Sequence, residues 1–209
     1  MTLTSNSDEY VCKLVQEVGG VPLAATLLGH LLQDGVETGE SLWNRWKEEH
    51  TSIIKTGDDD RLYSLDVSIQ LSINCRYMQK VPDAKQLLTV LALLPEGFPD
   101  SAMMKSGLQR YFPVGFAFSD ALQTLRRVAL VYVDQRTQVP CIRLLPPIQR
   151  FCQEKLRLNS ELRLAITTFY ARLIITHNDC AIAANHVVIP PELANVQSLL
   201  LLAYLRYFS

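Results

Sequence analysis

Between residues 101 and 158 the chain changes its hydrophobic period twice. A helix over about 101–110 leads into the aromatic loop YFPVGFAF. Ser119 is placed to cap a second helix, DALQTLRRVA, with Leu122, Leu125 and Val128 on its buried face. Helical spacing then gives way to LVYVDQRTQVPCIRLL, two β-rich runs around a polar turn, the pattern of a hairpin. Helical spacing returns in PIQRFCQEKL.

The preceding element completes the order. Pro82-Asp83 opens a helix in which Ala84, Leu87, Leu88, Leu91 and Ala92 form a stripe, and PEGFP at 95–99 ends it. Helix, helix, hairpin after that helix is the order of a winged helix.

Upstream, Val11, Leu14, Val15 and Val18 fall at i, i+3, i+4 and i+7 on one helical face. Gly19-Gly20 stop that helix. Pro22 sits where a first helical residue belongs, because its missing N–H costs nothing there. The second helix runs to about Leu32 and buries Leu23, Leu27, Leu28 and Leu31. QDGVETG breaks it, and ESLWNRWKEEH forms a third helix with Trp43 and Trp46 on one face. TGDDD at 56–60 reads as a polar loop and a boundary. Leu65, Val67, Ile69, Leu71 and Ile73 alternate strictly, which by period alone says strand, whereas the surroundings are helical. After the hairpin, Leu162, Ile166, Phe169, Tyr170 and Leu173 define a long helix, and Leu193, Val196, Leu200, Ala203 and Tyr207 another. A terminal helix so apolar packs on something. The expected fold is mainly α: a small helical bundle (1–60), a winged-helix domain with one β-hairpin (61–158), then antiparallel helices (159–209).

Composition narrows the function. With 20 basic and 21 acidic residues, net charge is −1 and draws the chain neither to nucleic acid nor to an anionic membrane. The apolar runs LLTVLALL and LLLLAYL are far short of the ~20 residues that span a bilayer. MTLTSNSDEY has neither the basic nor the apolar region of a signal peptide, so a cytoplasmic location is expected. The cysteines at 12, 75, 141, 152 and 180 are odd in number and irregular in spacing, as free thiols are. His30, His50, His177 and His186 form no metal-binding spacing and read as structural, so no metal is expected. The sequence has no GxxxxGK[ST] phosphate loop, no strand ending in paired acids for Mg²⁺, no GxSxG and no Cys/His pair. The acidic run at 58–60 reads as a solvated turn. No catalytic residue is expected, and no enzyme. DNA binding is a rival reading of a winged helix. Here the second helix carries Arg126 and Arg127 but also Asp120, and the hairpin sets Arg136 and Arg143 against Asp134. A helical scaffold is a third reading.

GGVPLAATLLGHLL resembles the GLPLA motif of the NB-ARC nucleotide-binding domain in the STAND class of P-loop switches, which includes plant and fungal NOD-like receptors and apoptotic ATPases. The motif reads Gly20-Val21-Pro22-Leu23-Ala24, with Val for the first Leu. LDVSIQLSINCRYMQKVPDAKQLLTVLALLPEGFP resembles the family's join between the ARC helical domain and the winged helix. ALQTLRRVALVYVD and IRLLPPIQRFCQEKL resemble the end of the winged helix, where the MHD motif lies. PPELANVQSLL is similar to a segment that fungal members carry next, often ahead of TPR-type repeats. These matches occur in the family's order over most of the chain.

The resemblance implies that residues 65–77 are helix, with their period-two signal an accident of burial on several sides. It implies that Pro22 matches the proline beside the adenine of ADP, with Gly20 leaving room for backbone approach and Leu23 beside it. At the MHD position Leu145 stands for Met, while Pro146 and Pro147 replace His and Asp, so neither imidazole nor carboxylate is present. The family's P-loop domain would precede residue 1, so the resemblance implies a fragment. ADP or ATP is then expected only with an upstream nucleotide-binding domain, and none for this chain alone. Protein partners or self-association are expected.

Overall fold

Each helix of the first bundle is set by a narrow apolar stripe and a local stop signal. The computed structural model describes residues 4–33, 37–52, 60–136, 139–183 and 194–199. α1 (Thr4–Glu17) buries Leu14, with Val18 just past its end, and half-buries Val11. Val15 is exposed, because one residue on from Leu14 it is turned about 100° away. Gly19 and Gly20 adopt left-handed φ angles of 58° and 73° and turn the chain. Pro22 then opens α2 (Pro22–Gln33), which buries Ala24, Leu27, Leu28 and Leu31; Leu23 is only half-buried. Thr38 caps α3 (Gly39–Ser52), its Oγ1 accepting the Ser41 N–H at 3.1 Å. Trp46 is buried; Trp43 lies half-buried, with the Lys47 ammonium 5.7 Å from the centre of its ring.

The alternating stretch is α4 (Asp60–Ile73), a helix. Ser64, Ser68 and Ser72 are buried along with the five apolar residues, so nearly the whole circumference is covered. A helix tolerates this because its backbone bonds are internal, whereas a strand needs neighbours for its own. The serine hydroxyls are satisfied within reach. Ser64 donates to the Glu17 carbonyl (3.0 Å), Ser68 to Ser64 (2.8 Å) and Ser72 to Ser68 (3.0 Å). α4 packs on α2 and α3. Arg45 of α3 donates to the Leu71 carbonyl at 3.2 Å and pairs with the buried Glu37. The helix ends at Ile73 and not at 77. Asn74 and an extended Cys75 break it, and α5 (Arg76–Lys80) starts afresh. Of the acidic run at 58–60, only Asp60 lies within the described residues, as the first residue of α4.

α6 (Pro82–Ala92) is buried at every position from Leu87 to Ala92. After it, Phe98–Pro99 forms a strand, β1, where the sequence indicated only a helix stop. α7 (Ala102–Gln109) is capped by Ser101. α8 (Phe118–Arg127) begins one residue before Ser119, so Ser119 is not its cap. The N-cap position is Ala117, whose N–H donates instead to Asp83 at the start of α6 (2.8 Å). A tertiary bond has displaced the local signal. β2 (Tyr132–Asp134) and β3 (Cys141–Arg143) follow. The antiparallel order is β1-β3-β2, with Phe98 and Val133 both opposite Ile142. Helix, strand, two helices and a hairpin with that strand order make a winged helix. The aromatic loop seals it: Phe112 lies 4.5 Å from Phe116 and 5.9 Å from Phe118, and Phe118 lies 6.2 Å from Phe98.

α9 (Pro146–Lys155) packs on α6 and touches α4, where Asp66 faces Arg150, Glu154 and Lys155. Burial pushes the Asp66 carboxyl up, against the pull of Arg150. α10 (Ser160–Ala183) lies on α7 and α6 through Leu162, Ile166, Phe169 and Tyr170. Of the apolar helix expected from Leu193 to Tyr207, only 194–199 falls within the described residues; it is helical and buries Val196 and Leu199. One contiguous apolar core runs from Leu14 to Leu199.

Gly97 is the tightest point. Its φ is +77°, and a Cβ there would lie 2.5 Å from both the Ile142 carbonyl oxygen and Arg143 Cγ. Gly115 has φ +88° but open space around it. Gly97→Ala is therefore expected to cost clearly more than Gly115→Ala, whose penalty is the ~1–2 kcal/mol of left-handed strain alone. Urea unfolding of both variants measures the gap, and equal losses would refute the close approach.

Candidate functional site

The Gly20–Leu23 group forms a helix-to-helix turn with an open outer face. Val21 N–H donates to the Val18 carbonyl (3.0 Å), closing the turn, and Ala25 N–H donates to Val21 (3.1 Å), starting α2. The Pro22 ring is exposed at the first helical position, and Thr26 Oγ1 donates to its carbonyl at 2.9 Å. Leu23 anchors the turn against the core. A Cβ on Gly19 or Gly20 would meet nothing within 4 Å. These glycines are required by their φ angles, and they leave one stretch of bare backbone beside the proline.

The Leu145–Pro147 group is the start of α9. Leu145 is the N-cap in extended conformation with no side-chain cap, and its carbonyl accepts the Gln149 N–H at 3.0 Å. A helix N-terminus ordinarily offers free N–H groups to an anion. Pro146 and Pro147 have none, so the first two helical positions offer no donor. No hydrogen bond among the described residues joins this group to Gly20, Pro22 or Leu23. α4 lies between the bundle and α9. Its Ser64 bonds the end of α1, and Asp66, about 200° round the helix, faces α9.

Lys105, Arg126, Arg127, Arg136 and Arg143 of the winged helix are engaged within the chain. Arg126 donates to Asp100 at 2.7 Å, and Lys105 pairs with the same carboxylate. Burial disfavours the charged form of Asp100, but Lys105 and Arg126 outweigh it and hold the carboxyl below its ordinary range. The Arg127 guanidinium lies 3.9 Å from the centre of the Tyr77 ring of α5. On the hairpin, Arg136 forks onto Asp134 with bonds of 2.9 and 3.0 Å. Arg143 reaches Glu96 at 3.0 Å and lies 3.7 Å from Asp134. The outer side of α8 also borders a cleft shared with His30 and Gln33 of α2. A helix poised to enter a DNA groove presents free cations outward; here Arg126 and Arg127 are exposed but each already meets a partner within the chain.

A separate cleft of about 610 Å³ between α6, the end of α9 and the start of α10 is lined by Lys85, Lys155, Arg157 and Asn159. The spacing of these residues in sequence gave no sign of it. Cys75 and Cys152 are buried, and burial pushes the Cys152 thiol up to about 12; Cys12 is exposed. The Cys180, His177 and His186 side chains lie outside the described residues. His50 stacks edge-on against Tyr63, whose hydroxyl donates to the His50 carbonyl. Among the described residues no group of three His, Cys, Asp or Glu side chains is placed to hold a metal ion, and no helix is long and apolar enough to cross a membrane.

No protein-family model matches the chain, and no curated protein matches it.

The Arg136 fork, from side chain and backbone together, holds the Asp134 carboxyl down at about 2. A lowered carboxyl stabilises the fold fully above its unfolded value near ~3.9 and loses that contribution as pH falls through the folded value. Asp134→Asn is thus expected to be less stable than the natural chain at pH 7. The difference closes between pH ~4 and about 2. Urea midpoints across that range measure it, and a pH-independent difference would contradict the ion pair.

Proposed function

We propose that this chain is a non-catalytic regulatory piece of an NB-ARC/STAND signalling ATPase, cytoplasmic and working through protein partners or self-association. The observation that carries the reading is the Gly19-Gly20-Val21-Pro22 turn. It sets bare backbone beside an exposed proline, on a helical bundle directly ahead of a winged helix. On this reading Gly20, Pro22 and Leu23 form the adenine side of an ADP/ATP pocket. The phosphate side, with its P-loop and Mg²⁺, comes from an upstream nucleotide-binding domain. Leu145, Pro146 and Pro147 occupy the place of the MHD motif without its imidazole, its carboxylate or two of the backbone donors. The nucleotide contact therefore falls on the adenine side, and the state of the switch is set by which domain arrangement the nucleotide prefers.

The pairing of Arg126, Arg127, Arg136 and Arg143 within the chain weighs against the DNA-binding reading. A mobility shift on duplex DNA that weakens with salt and disappears in Arg126→Ala/Arg127→Ala would restore it.

The nucleotide reading is tested by calorimetric titration of ADP onto the chain carried with its natural upstream sequence. Pro22→Ala is expected to weaken binding about tenfold, the scale of one lost apolar contact. Unchanged affinity removes the adenine contact. The chain alone is expected to show no ATP turnover in a phosphate-release assay, and turnover by purified protein would overturn the non-catalytic assignment.

A further inference from the structure

Three parts of the chain converge on the turn that follows α6. From α9, Gln149 and Gln153 both donate their side-chain amides to the Ala92 carbonyl, at 3.0 and 2.7 Å. From β3, Arg143 reaches Glu96, and the Ile142 carbonyl sits where a Cβ of residue 97 would be. From the 194–199 helix, Asn195 Oδ1 accepts the Glu96 N–H at 3.0 Å. Its Nδ2 donates to the Gly97 carbonyl at 2.8 Å and to the Tyr170 hydroxyl at 3.3 Å. Ser198 Oγ donates to the Leu93 carbonyl at 3.0 Å. Asn195 is 1% exposed, and Val196 and Leu199 are buried on either side of Ser198.

This arrangement is selective. The turn offers one N–H and one carbonyl side by side, and a primary amide answers both at once. Aspartate would set a second oxygen against the Gly97 carbonyl. Alanine would leave a buried donor and acceptor unmet, which costs more than the bonds contribute. The site is also compact. Among the described residues, Asn195, Val196, Ser198 and Leu199 seat the segment.

We propose that the Leu93–Gly97 turn is a docking surface for residues 194–199 of this same chain, read by Asn195. We further propose that it couples the C-terminal segment to α9 through shared occupation of the end of α6. When α9 withdraws its glutamines from Ala92, the turn loosens and Asn195 lets go; by reciprocity, undocking Asn195 loosens α9. The inference does not rest on nucleotide binding, so either can fail without the other.

The test is amide hydrogen exchange by NMR on the full chain. Asn195→Ala is expected to speed exchange of the Glu96 amide by at least about tenfold. Tryptophan fluorescence from Trp43 and Trp46, in the first bundle, should stay native. Gln149→Ala/Gln153→Ala is expected to speed the same Glu96 amide and to shift the Asn195 side-chain NH₂ signals, although neither glutamine touches Asn195. Unchanged Glu96 exchange in Asn195→Ala overturns the docking site. Unmoved Asn195 signals in the glutamine variant overturn the coupling. Should Asn195→Ala lose the native fluorescence, Ser198→Ala replaces it. A smaller rise in Glu96 exchange then supports the site, and none overturns it.

Discussion

The rest of the structure depends on the burial of α6. From Leu87 to Ala92 every side chain is covered, by α8 on one side and by α9 and α10 elsewhere. A helix buried this fully has no solvent to satisfy its last carbonyls, which an α-helix cannot bond internally. The backbone N–H groups of Leu93 and Leu94 meet the Val90 and Leu91 carbonyls, and side chains from other elements meet the carbonyls that follow. Gln149 and Gln153 take Ala92, Ser198 takes Leu93, and Asn195 takes Gly97 just beyond. The polar residues around this helix end follow from its apolar side chains. Once the core claims the second half of α6, its C-terminus demands donors, and those donors fix where α9 and the C-terminal segment lie.

Charge follows the same economy. The winged helix has basic residues where a DNA reader would carry them, yet Arg126, Arg127, Arg136 and Arg143 each meet a partner within the chain. Asp100 lies between Lys105 and Arg126, and Asp134 lies between Arg136 and Arg143. Exposed ion pairs contribute little singly. Here the two carboxylates are largely buried and each gathers two cations, so the pairs fix geometry: Asp100 ties β1 to α7 and α8, and Asp134 pins the wing. The residual net charge of −1 is the global counterpart of this local balance.

Much of the fold was legible in the sequence because it rests on local signals. Glycine and proline punctuation gave the α1–α2 turn, and the change of period gave the hairpin. The misreadings have a common cause. Ser119 looked like a cap, but α8 starts two residues early, where Asp83, distant in sequence, accepts the Ala117 N–H. Phe98–Pro99 is too short to show a period and becomes a strand only because β3 lies beside it. In α4, by contrast, the period alone imitated a strand while the resemblance implied the helix that is found; its buried serines blur the amphipathic contrast that marks a helix. Within the candidate site, Gly20, Pro22, Leu145, Pro146 and Pro147 were visible as a pattern. Asn195, Gln149 and Gln153 were not, since nothing in the spacing of three amides announces that they meet at one helix end.

The two prolines at the start of α9 sharpen what a switch built on this chain would have to use. A helix N-terminus binds phosphate through its free N–H groups, and a histidine through its imidazole. Pro146 and Pro147 remove two of those N–H groups and supply no imidazole. What they leave is rigidity: both fix φ near the helical value, so α9 starts at a defined angle and carries Gln149 and Gln153 to Ala92 without fraying. A rigid helix with a weak grip on ligand and a firm grip on its neighbours transmits position better than it senses charge. On the proposed reading the regulatory information therefore lies in where α9 sits against α6, and the turn at Leu93–Gly97 is where the remainder of the chain reads it.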